Sequence, residues 1–137
     1  MNQEQLKQQI IAYVAEENKL YQDWWNELNP PLEGTEQVSL KESLEEYQRR
    51  FNNWFQQWYE ENRLPFKKAC CEIKIHGKTV CERWLEIRKE HDFHKRQDLI
   101  VSLIVDLVIS AMTHLPHTPV SITIIILNGY LDKICND

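Results

Sequence analysis

The residues best suited to chemistry are four cysteines, three of which lie in one short segment. Cys70 and Cys71 are adjacent, Cys81 follows ten residues later, and Cys135 lies near the end of the sequence. Neither the adjacent pair nor the ten-residue step from Cys71 to Cys81 matches the C-x-x-C spacing that is typical of structural zinc sites and redox pairs. A Lys-Lys pair at 67–68 precedes them, and nearby cations lower the pKa of a thiol. The pattern nevertheless favours buried, inert thiols, because free cysteine packs as a small hydrophobic residue.

Asp106 is a carboxylate inside the apolar run "DLIVSLIVDLVISAM". It shares a polar line with Ser102 and Ser110, which either faces solvent or is hydrogen-bonded inside the protein. Asn128 follows the turn near His117 at the distance by which Asp106 precedes it, so the two side chains could meet in an antiparallel hairpin. A catalytic carboxylate needs a second titratable partner, and the sequence identifies none. We therefore predict that Asp106 and Asn128 are buried polar residues.

His91 and His94 are three residues apart in "EHDFHKR" and would share one face of a helix. With Glu90 or Asp92 beside them, they have the donor atoms of a metal site. No third ligand is fixed by its position, so we expect no metal, and these two histidines are the candidates if one binds. The sequence contains no G-x-S-x-G motif and no paired histidine–glutamate helix motif. We expect no cofactor.

Aromatic residues are concentrated in "RRFNNWFQQWYEENRLP", residues 49–65. At about 100° per residue the five rings fall within an arc of roughly 140°, which is typical of the buried stripe of an amphipathic helix. Rings that one domain cannot cover would contact another chain. Trp24 and Trp25 are adjacent, so one can point inward while the other is partly exposed. The candidate partner-binding residues are Trp24, Trp25, Trp58 and Tyr59.

Helical spacing of apolar residues predicts two long amphipathic helices within the acidic segment 1–64. The first carries Leu6, Ile10, Val14, Tyr21, Trp24 and Leu28, and the second carries Leu40, Leu44, Tyr47, Phe51, Trp54 and Trp58. Ser39 and Glu42 form a capping box that would start the second helix, and Pro65 would limit its end. The "NPPLEG" stretch separates the two helices, which we expect to pack as an antiparallel pair.

Residues 65–97 form a basic connecting region whose fold the sequence leaves open. One interpretation of 65–85 is a β-hairpin that turns at His76-Gly77-Lys78. The other is a helix–turn–helix broken at Gly77, which we favour because "VCERWLEIRKE" is rich in good helix formers. We expect the positive charge of this region to pair with the acidic start of the chain; the alternative is that it binds an anionic partner weakly.

Residues 98–137 predict an apolar helical hairpin. Asp98 is placed to cap its first helix, "HLPHTP" forms the turn, and Thr118 caps the second helix. Apolar residues recur along the second helix at Val120, Ile124, Leu127, Leu131 and Ile134. Neither run reaches the roughly 20 apolar residues that cross a bilayer, so we expect this hairpin to form the buried core.

These elements predict an all-α fold, a single-domain helical bundle of five or six helices spanning 1–137. Two long amphipathic helices pack on the C-terminal apolar helical hairpin. The formal net charge of −5 disfavours nucleic acid as a partner. The start of the sequence lacks the pattern of a secretory signal, which favours a cytoplasmic location and reduced cysteines.

The leading functional prediction is a small intracellular, non-catalytic protein–protein interaction or regulatory module, an adaptor that binds a protein partner or self-associates as an oligomer. One alternative is a metal or redox sensor, or an enzyme, built from the thiols and histidines; an enzyme is less favoured than a binding protein. A further alternative is a membrane-associated helical hairpin, although the sequence disfavours a membrane partner. Composition alone does not choose among these classes.

Overall fold

The computed structural model describes residues 2–30, 43–111 and 118–136. The described residues form seven helices and one short hairpin, which are α1 (Gln3–Ala15), α2 (Glu17–Leu28), α3 (Leu44–Cys71), β1 (Lys74–Ile75), β2 (Lys78–Thr79), α4 (Val80–Lys89), α5 (Phe93–Ala111), α6 (Pro119–Leu127) and α7 (Leu131–Asn136). The predicted all-α class is confirmed. The helices outnumber the five or six expected, because the chain bends within both terminal segments.

The N-terminal segment forms two helices where the periodicity predicts one. The backbone of Glu16 leaves the helical region (φ −131°, ψ 86°), with neither proline nor glycine beside it to mark the bend. Asp23 stabilises the bend, because its carboxylate accepts a hydrogen bond from Tyr13 Oη at 2.7 Å and forms an ion pair with Lys19 Nζ at 2.9 Å. The bend lets α1 pack on α5 while α2 packs on α6.

The long aromatic helix α3 begins at Leu44. Ser43 caps it, and the Ser43 Oγ accepts from the backbone N–H of Glu46 at 3.3 Å. Ser39 and Glu42, the predicted capping box, lie outside the described residues. The cap that forms is therefore a serine four positions further along.

Pro65 does not end α3, contrary to the prediction. The helix continues to Cys71, and its irregular position is Asn62 (φ −117°, ψ 16°). Because the chain leaves helical angles there, Pro65 falls in the first turn of a new helical segment, where its missing N–H costs no hydrogen bond. The Asn62 amide donates to the carbonyl of Trp58 at 2.9 Å and so binds the end of the first segment.

The connecting region combines the two interpretations that the sequence leaves open. A hairpin pairs Lys74–Ile75 with Lys78–Thr79, and its turn residues His76 (φ 55°) and Gly77 (φ 84°) both have the positive φ that a two-residue type I′ turn requires. Thr79 then caps α4 in a capping box with Glu82. The favoured pair of helices is present, joined by a hairpin.

Helix α5 begins at Phe93, earlier than the predicted start at Asp98. The Asp92 carboxylate accepts from the backbone N–H of Lys95 at 3.1 Å, which makes Asp92 the capping side chain. Asp98 lies inside the helix. The polar first turn "FHKRQ" concealed this extension, because the prediction followed only the apolar run.

The predicted second helix of the C-terminal hairpin is divided into α6 and α7. Thr118 caps α6 as predicted. Gly129 adopts φ +74°, and the N–H groups of Gly129 and Tyr130 donate to the carbonyls of Ile126 and Ile125. This pair of bonds is a Schellman motif, which ends a helix at a glycine. The chain then turns back as α7.

Helices α5 and α6 form the centre of the core. They pack on each other, and α1, α2, α3 and α4 contact one or both of them. Fully buried aliphatic side chains fill this centre: Leu103, Ile104, Leu107, Ile122, Ile124, Ile125 and Ile126. Residues 112–117 of the predicted proline turn lie outside the described residues. None of the helices in the described part has both the length and the apolarity that a membrane span requires.

Candidate thiol-disulfide site

Three of the four cysteines meet where α3, α4 and α7 approach one another. Cys81, in the first turn of α4, forms a disulfide with Cys135 of α7, at a Cα–Cα distance of 5.7 Å and a sequence separation of 54 residues. The prediction that the cysteines are reduced is wrong for this pair. The reason lies in tertiary structure, because the turn at Gly129 folds α7 back onto α4.

The third sulfur of the site belongs to Cys71, the last residue of α3. Its Sγ lies 3.3 Å from Sγ of Cys81. Because Cys81 is in a disulfide and carries no proton, the Cys71 thiol is the donor of this contact. The β1–β2 hairpin reverses the chain between the two residues, which places the end of α3 beside the start of α4.

The two thiols outside the disulfide lie in different surroundings. Cys71 is half-buried; burial raises the pKa of its thiol, Lys67 acts to lower that pKa, and Glu72 to raise it. Cys70 is fully buried, and burial raises its pKa as well. Cys70 is thus the buried free thiol that the sequence predicts, while Cys71 borders the disulfide.

Polar contacts hold α7 to α4 beside the disulfide. The Asp132 carboxylate accepts from Trp84 Nε1 at 2.8 Å and from Arg88 Nη1 at 2.7 Å. Cys81, Trp84 and Arg88 follow one another at steps of three and four, so they share a face of α4. Asp132 and Cys135 are three residues apart on α7. One face of each helix therefore carries both the covalent and the polar contacts.

Asp106 joins α5 to α4 and to the hairpin. Its carboxylate accepts from Arg83 Nη1 at 2.7 Å, and Arg83 Nη2 donates to Ser102 Oγ at 3.2 Å. The side chains of Asp106 and Arg83 are only 11% and 16% exposed, whereas that of His76, with its Nε2 3.8 Å from the carboxylate, is 80% exposed. The buried charge predicted at Asp106 is thus neutralised by an arginine that the sequence did not identify.

Asn128 does not occupy the buried position predicted for it. It is exposed, and its amide donates to the carbonyl of Ile124 at 3.0 Å within its own helix. Asp106 has Arg83 as its partner instead. The expected pairing rested on one continuous C-terminal helix, and α6 ends at Leu127, so Asn128 becomes the cap of α6.

The four candidate partner-binding rings differ in exposure. Trp24, Trp58 and Tyr59 are buried, with 2%, 7% and 5% of their surfaces exposed. Trp25 is half-buried, and the guanidinium of Arg50 lies 4.5 Å from its ring centroid. Partner binding by these residues stays a prediction, and Trp25 is the one of the four that is not buried.

His91 and His94 are exposed and do not share a helix. His91 lies in the connection between α4 and α5, and His94 lies in the first turn of α5. Within 2–30, 43–111 and 118–136, no group of three or more His, Cys, Asp or Glu residues is placed to hold a metal ion. A metal at these histidines therefore has no further ligands to support it in the described residues.

Sequence reasoning missed the residues that assemble this site: the Cys81–Cys135 pair, Arg83 and Asp132. The sequence did contain a signal. Cys81, Trp84 and Arg88 are spaced to share one face of a helix, and Asp132 and Cys135, which can bind them, are spaced to share one face of another. No protein-family model, curated protein or solved structure matches the chain. The proposed function is therefore argued from the geometry of this site.

Proposed function

We propose that this chain is a small, non-catalytic regulatory protein in which the attachment of α7 to α4 responds to redox conditions. The observation that carries the proposal is the meeting of three sulfurs from three helices, with Cys71 Sγ 3.3 Å from the bonded Cys81. A purely structural disulfide needs no third thiol beside it. A neighbouring thiol supplies the nucleophile through which disulfides exchange.

A cytoplasmic location is part of the proposal. In the cytosol of mesophiles, disulfides are rare, and those that form are usually transient and serve catalysis or redox sensing. In that compartment the Cys81–Cys135 bond would form under oxidising conditions and open when the thiol pool is reducing. This behaviour is that of a sensor.

A sensor fits the site better than an oxidoreductase that turns over protein substrates. Disulfide oxidoreductases use thiols whose pKa is lowered, so that thiolate is abundant near neutral pH. Burial raises the pKa of Cys71, and the spacing of the cysteines is not C-x-x-C. We therefore propose slow exchange within the chain.

The test is a redox titration of the full chain in glutathione buffers, followed by acid quenching, alkylation and mass determination. We expect two thiols to be lost in one two-electron step, with a midpoint within the cytosolic range of about −320 to −220 mV. Cys70→Ser should titrate like the native chain, and Cys81→Ser should lose the step. A bond that stays oxidised well below this range, or never forms within it, would contradict the proposal.

A second candidate function is self-association through α2. Trp25 is half-buried and Leu28 is 46% exposed, and residues three apart adjoin on a helix, so the two form an apolar patch. We propose that a second copy of this chain binds this patch.

The test is light scattering over a concentration series. The measured mass of the native chain should rise with concentration, Trp25→Ala should stay monomeric, and Leu64→Ala, at another exposed site, should behave as the native chain does. Monomeric native protein throughout would exclude this role.

A further inference from the structure

We infer that Cys71 displaces Cys135 from the disulfide, so that the bond moves from Cys81–Cys135 to Cys71–Cys81. Helix α7 then loses its disulfide bond to α4. The inference rests on the proposed function and specifies how its site is regulated. It assigns Cys71 the role of an internal exchanging thiol. It also gives the protein two oxidised forms, one with α7 tethered and one with α7 released.

The positions of the sulfurs make this exchange a short movement. A disulfide bond is about 2.0 Å long, so Cys71 Sγ, at 3.3 Å from Cys81 Sγ, needs to approach by a little over 1 Å. Cys71 is the last residue of α3, and Glu72 follows it as the C-cap. The adjustment therefore falls at the end of a helix rather than within it.

The exchange is balanced within the chain. The Cys71 thiol loses its proton to solvent, and the thiolate sulfur attacks Sγ of Cys81. The Cys81–Cys135 bond breaks, its electron pair leaves on Sγ of Cys135, and that sulfur takes a proton from solvent. One disulfide is lost and one is formed, so no external oxidant or reductant is needed.

The exchange removes the covalent contact of a helix too short to persist alone. Helix α7 has six residues, whereas isolated helices shorter than about 12 residues are marginal in water. After the exchange, α7 keeps its packing on α3, the Asp132–Trp84 hydrogen bond, the neighbouring Arg88 contact and the buried Leu131 and Ile134, but no covalent bond to α4. We therefore expect α7 to open more often in the Cys71–Cys81 form.

Opening of α7 would change the surface of α3. The two helices contact each other, and Lys133 Nζ of α7 lies 5.7 Å from the ring centroid of Tyr59, which is 5% exposed. Released α7 would leave Tyr59 more accessible to solvent. The inferred exchange would thus expose Tyr59, which is one of the predicted partner-binding residues and is buried when α7 is in place.

The sequence makes the two forms separable by tryptic mapping. Trypsin yields ACCEIK, TVCER and ICND, which carry Cys70 with Cys71, Cys81 and Cys135 respectively. The oxidised full chain is held at pH 8 without added thiol, quenched with acid at intervals, alkylated and digested. We expect TVCER linked to ICND and TVCER linked to the 69–74 peptide, both from the native chain and from Cys70→Ser, whose 69–74 peptide carries the serine. From Cys71→Ser we expect TVCER–ICND alone.

Each other outcome is decisive. If the native chain yields TVCER–ICND alone, or if the 69–74 peptide of Cys71→Ser is still linked to TVCER, through Cys70, the inference is overturned and the proposed function stands. If no linked peptide forms in any of the three proteins, the proposed function is overturned as well. These results distinguish the absence of exchange by Cys71 from the absence of any disulfide at the site.

Release of α7 has its own readout. Cys135→Ser can form only the Cys71–Cys81 bond among the three clustered sulfurs, and Cys71→Ser only the Cys81–Cys135 bond. Hydrogen exchange of the amides in residues 131–136 should be at least several-fold faster in oxidised Cys135→Ser than in oxidised Cys71→Ser. Equal exchange in the two proteins would overturn the release.

Discussion

At the scale of single residues, the thiol of Cys71 determines the rate of the proposed exchange. Burial raises its pKa, Lys67 opposes that rise, and Glu72 adds to it. Because the thiolate is the nucleophile, we predict that the exchange rate increases about tenfold per pH unit until the pH passes the pKa. Lys67→Gln should slow the exchange at pH 8 and Glu72→Gln should accelerate it. A rate that stays constant from pH 7 to 9, measured by acid quenching and mapping, would contradict this prediction.

Tyr13 provides a second prediction from an ionisable group. Burial and then the hydrogen bond to Asp23 raise the pKa of Tyr13 to about 12. The folded state therefore favours the neutral phenol, and the stability this contributes is present below pH 10 and lost as the pH rises through 12. Between pH 9 and 11, the native chain should lose about 1 kcal/mol of unfolding free energy relative to Tyr13→Phe. Urea denaturation curves that keep the same difference at both pH values would exclude this effect.

Asp106 shows what a sequence can establish about one residue. Its position in an apolar run indicated a carboxylate that needed a partner, and its side chain is indeed 11% exposed. The partner was not predictable from the hairpin alone, because Arg83 is 23 residues away in α4. Symmetry about the turn predicts Asn128 as the partner, but the symmetry is lost because α6 ends at Leu127.

At the scale of elements, the turn at Gly129 brings α7 back to α4. A Cβ placed on Gly129 would meet nothing closer than 3.8 Å, so the cost of Gly129→Ala comes from its positive φ rather than from a clash. We predict a loss of about 1 kcal/mol of unfolding free energy, measured in urea. The substitution should also speed alkylation of Cys135 in the reduced protein.

Gly77 offers a matched control for this prediction. It has φ +84° and open space around it, so Gly77→Ala has a similar backbone cost in the β1–β2 turn. Because that turn does not support α7, Cys135 alkylation should stay at the native rate. Equal acceleration in both variants would show that the effect is a general loss of stability.

Periodicity predicted the helices well and their breaks poorly. The aromatic stripe of α3 follows from residue types alone, and Phe51, Phe55 and Phe66 are fully buried. The bend at Glu16 has no local marker in the sequence, because it depends on packing against α5 and α6. Gly129 was a visible marker, yet the apolar steps from Val120 to Ile134 fit a continuous helix equally well.

At the scale of the whole molecule, the charge segments pair differently from the prediction. The basic middle was expected to pair with the acidic start of the chain. Among the described ion pairs, Arg83–Asp106 and Arg88–Asp132 join it to the C-terminal segment instead. The sulfur cluster has the same origin, since Cys81 and Cys135 are 54 residues apart and meet only when α7 folds onto α4.

The disulfide should contribute to the stability of the whole molecule. In the chain-entropy model, closing a loop of this separation contributes about 4 kcal/mol at 25 °C. We predict that adding a reductant lowers the unfolding free energy of the oxidised native chain by up to about 4 kcal/mol in urea titrations. Cys81→Ser, which cannot form either proposed bond, should be insensitive to the reductant. An unchanged native stability on reduction would contradict the prediction.

The central claim is that Cys81 is the shared sulfur of the site. The most direct measurement is to oxidise the fully reduced chain stepwise with diamide, alkylate the remaining thiols and identify the first intramolecular link by tryptic mapping. The structure predicts that this link always contains TVCER, joined to ICND or ACCEIK, with Cys70 alkylated. A first link that joins ACCEIK directly to ICND, or four alkylated cysteines at every diamide concentration, would contradict it.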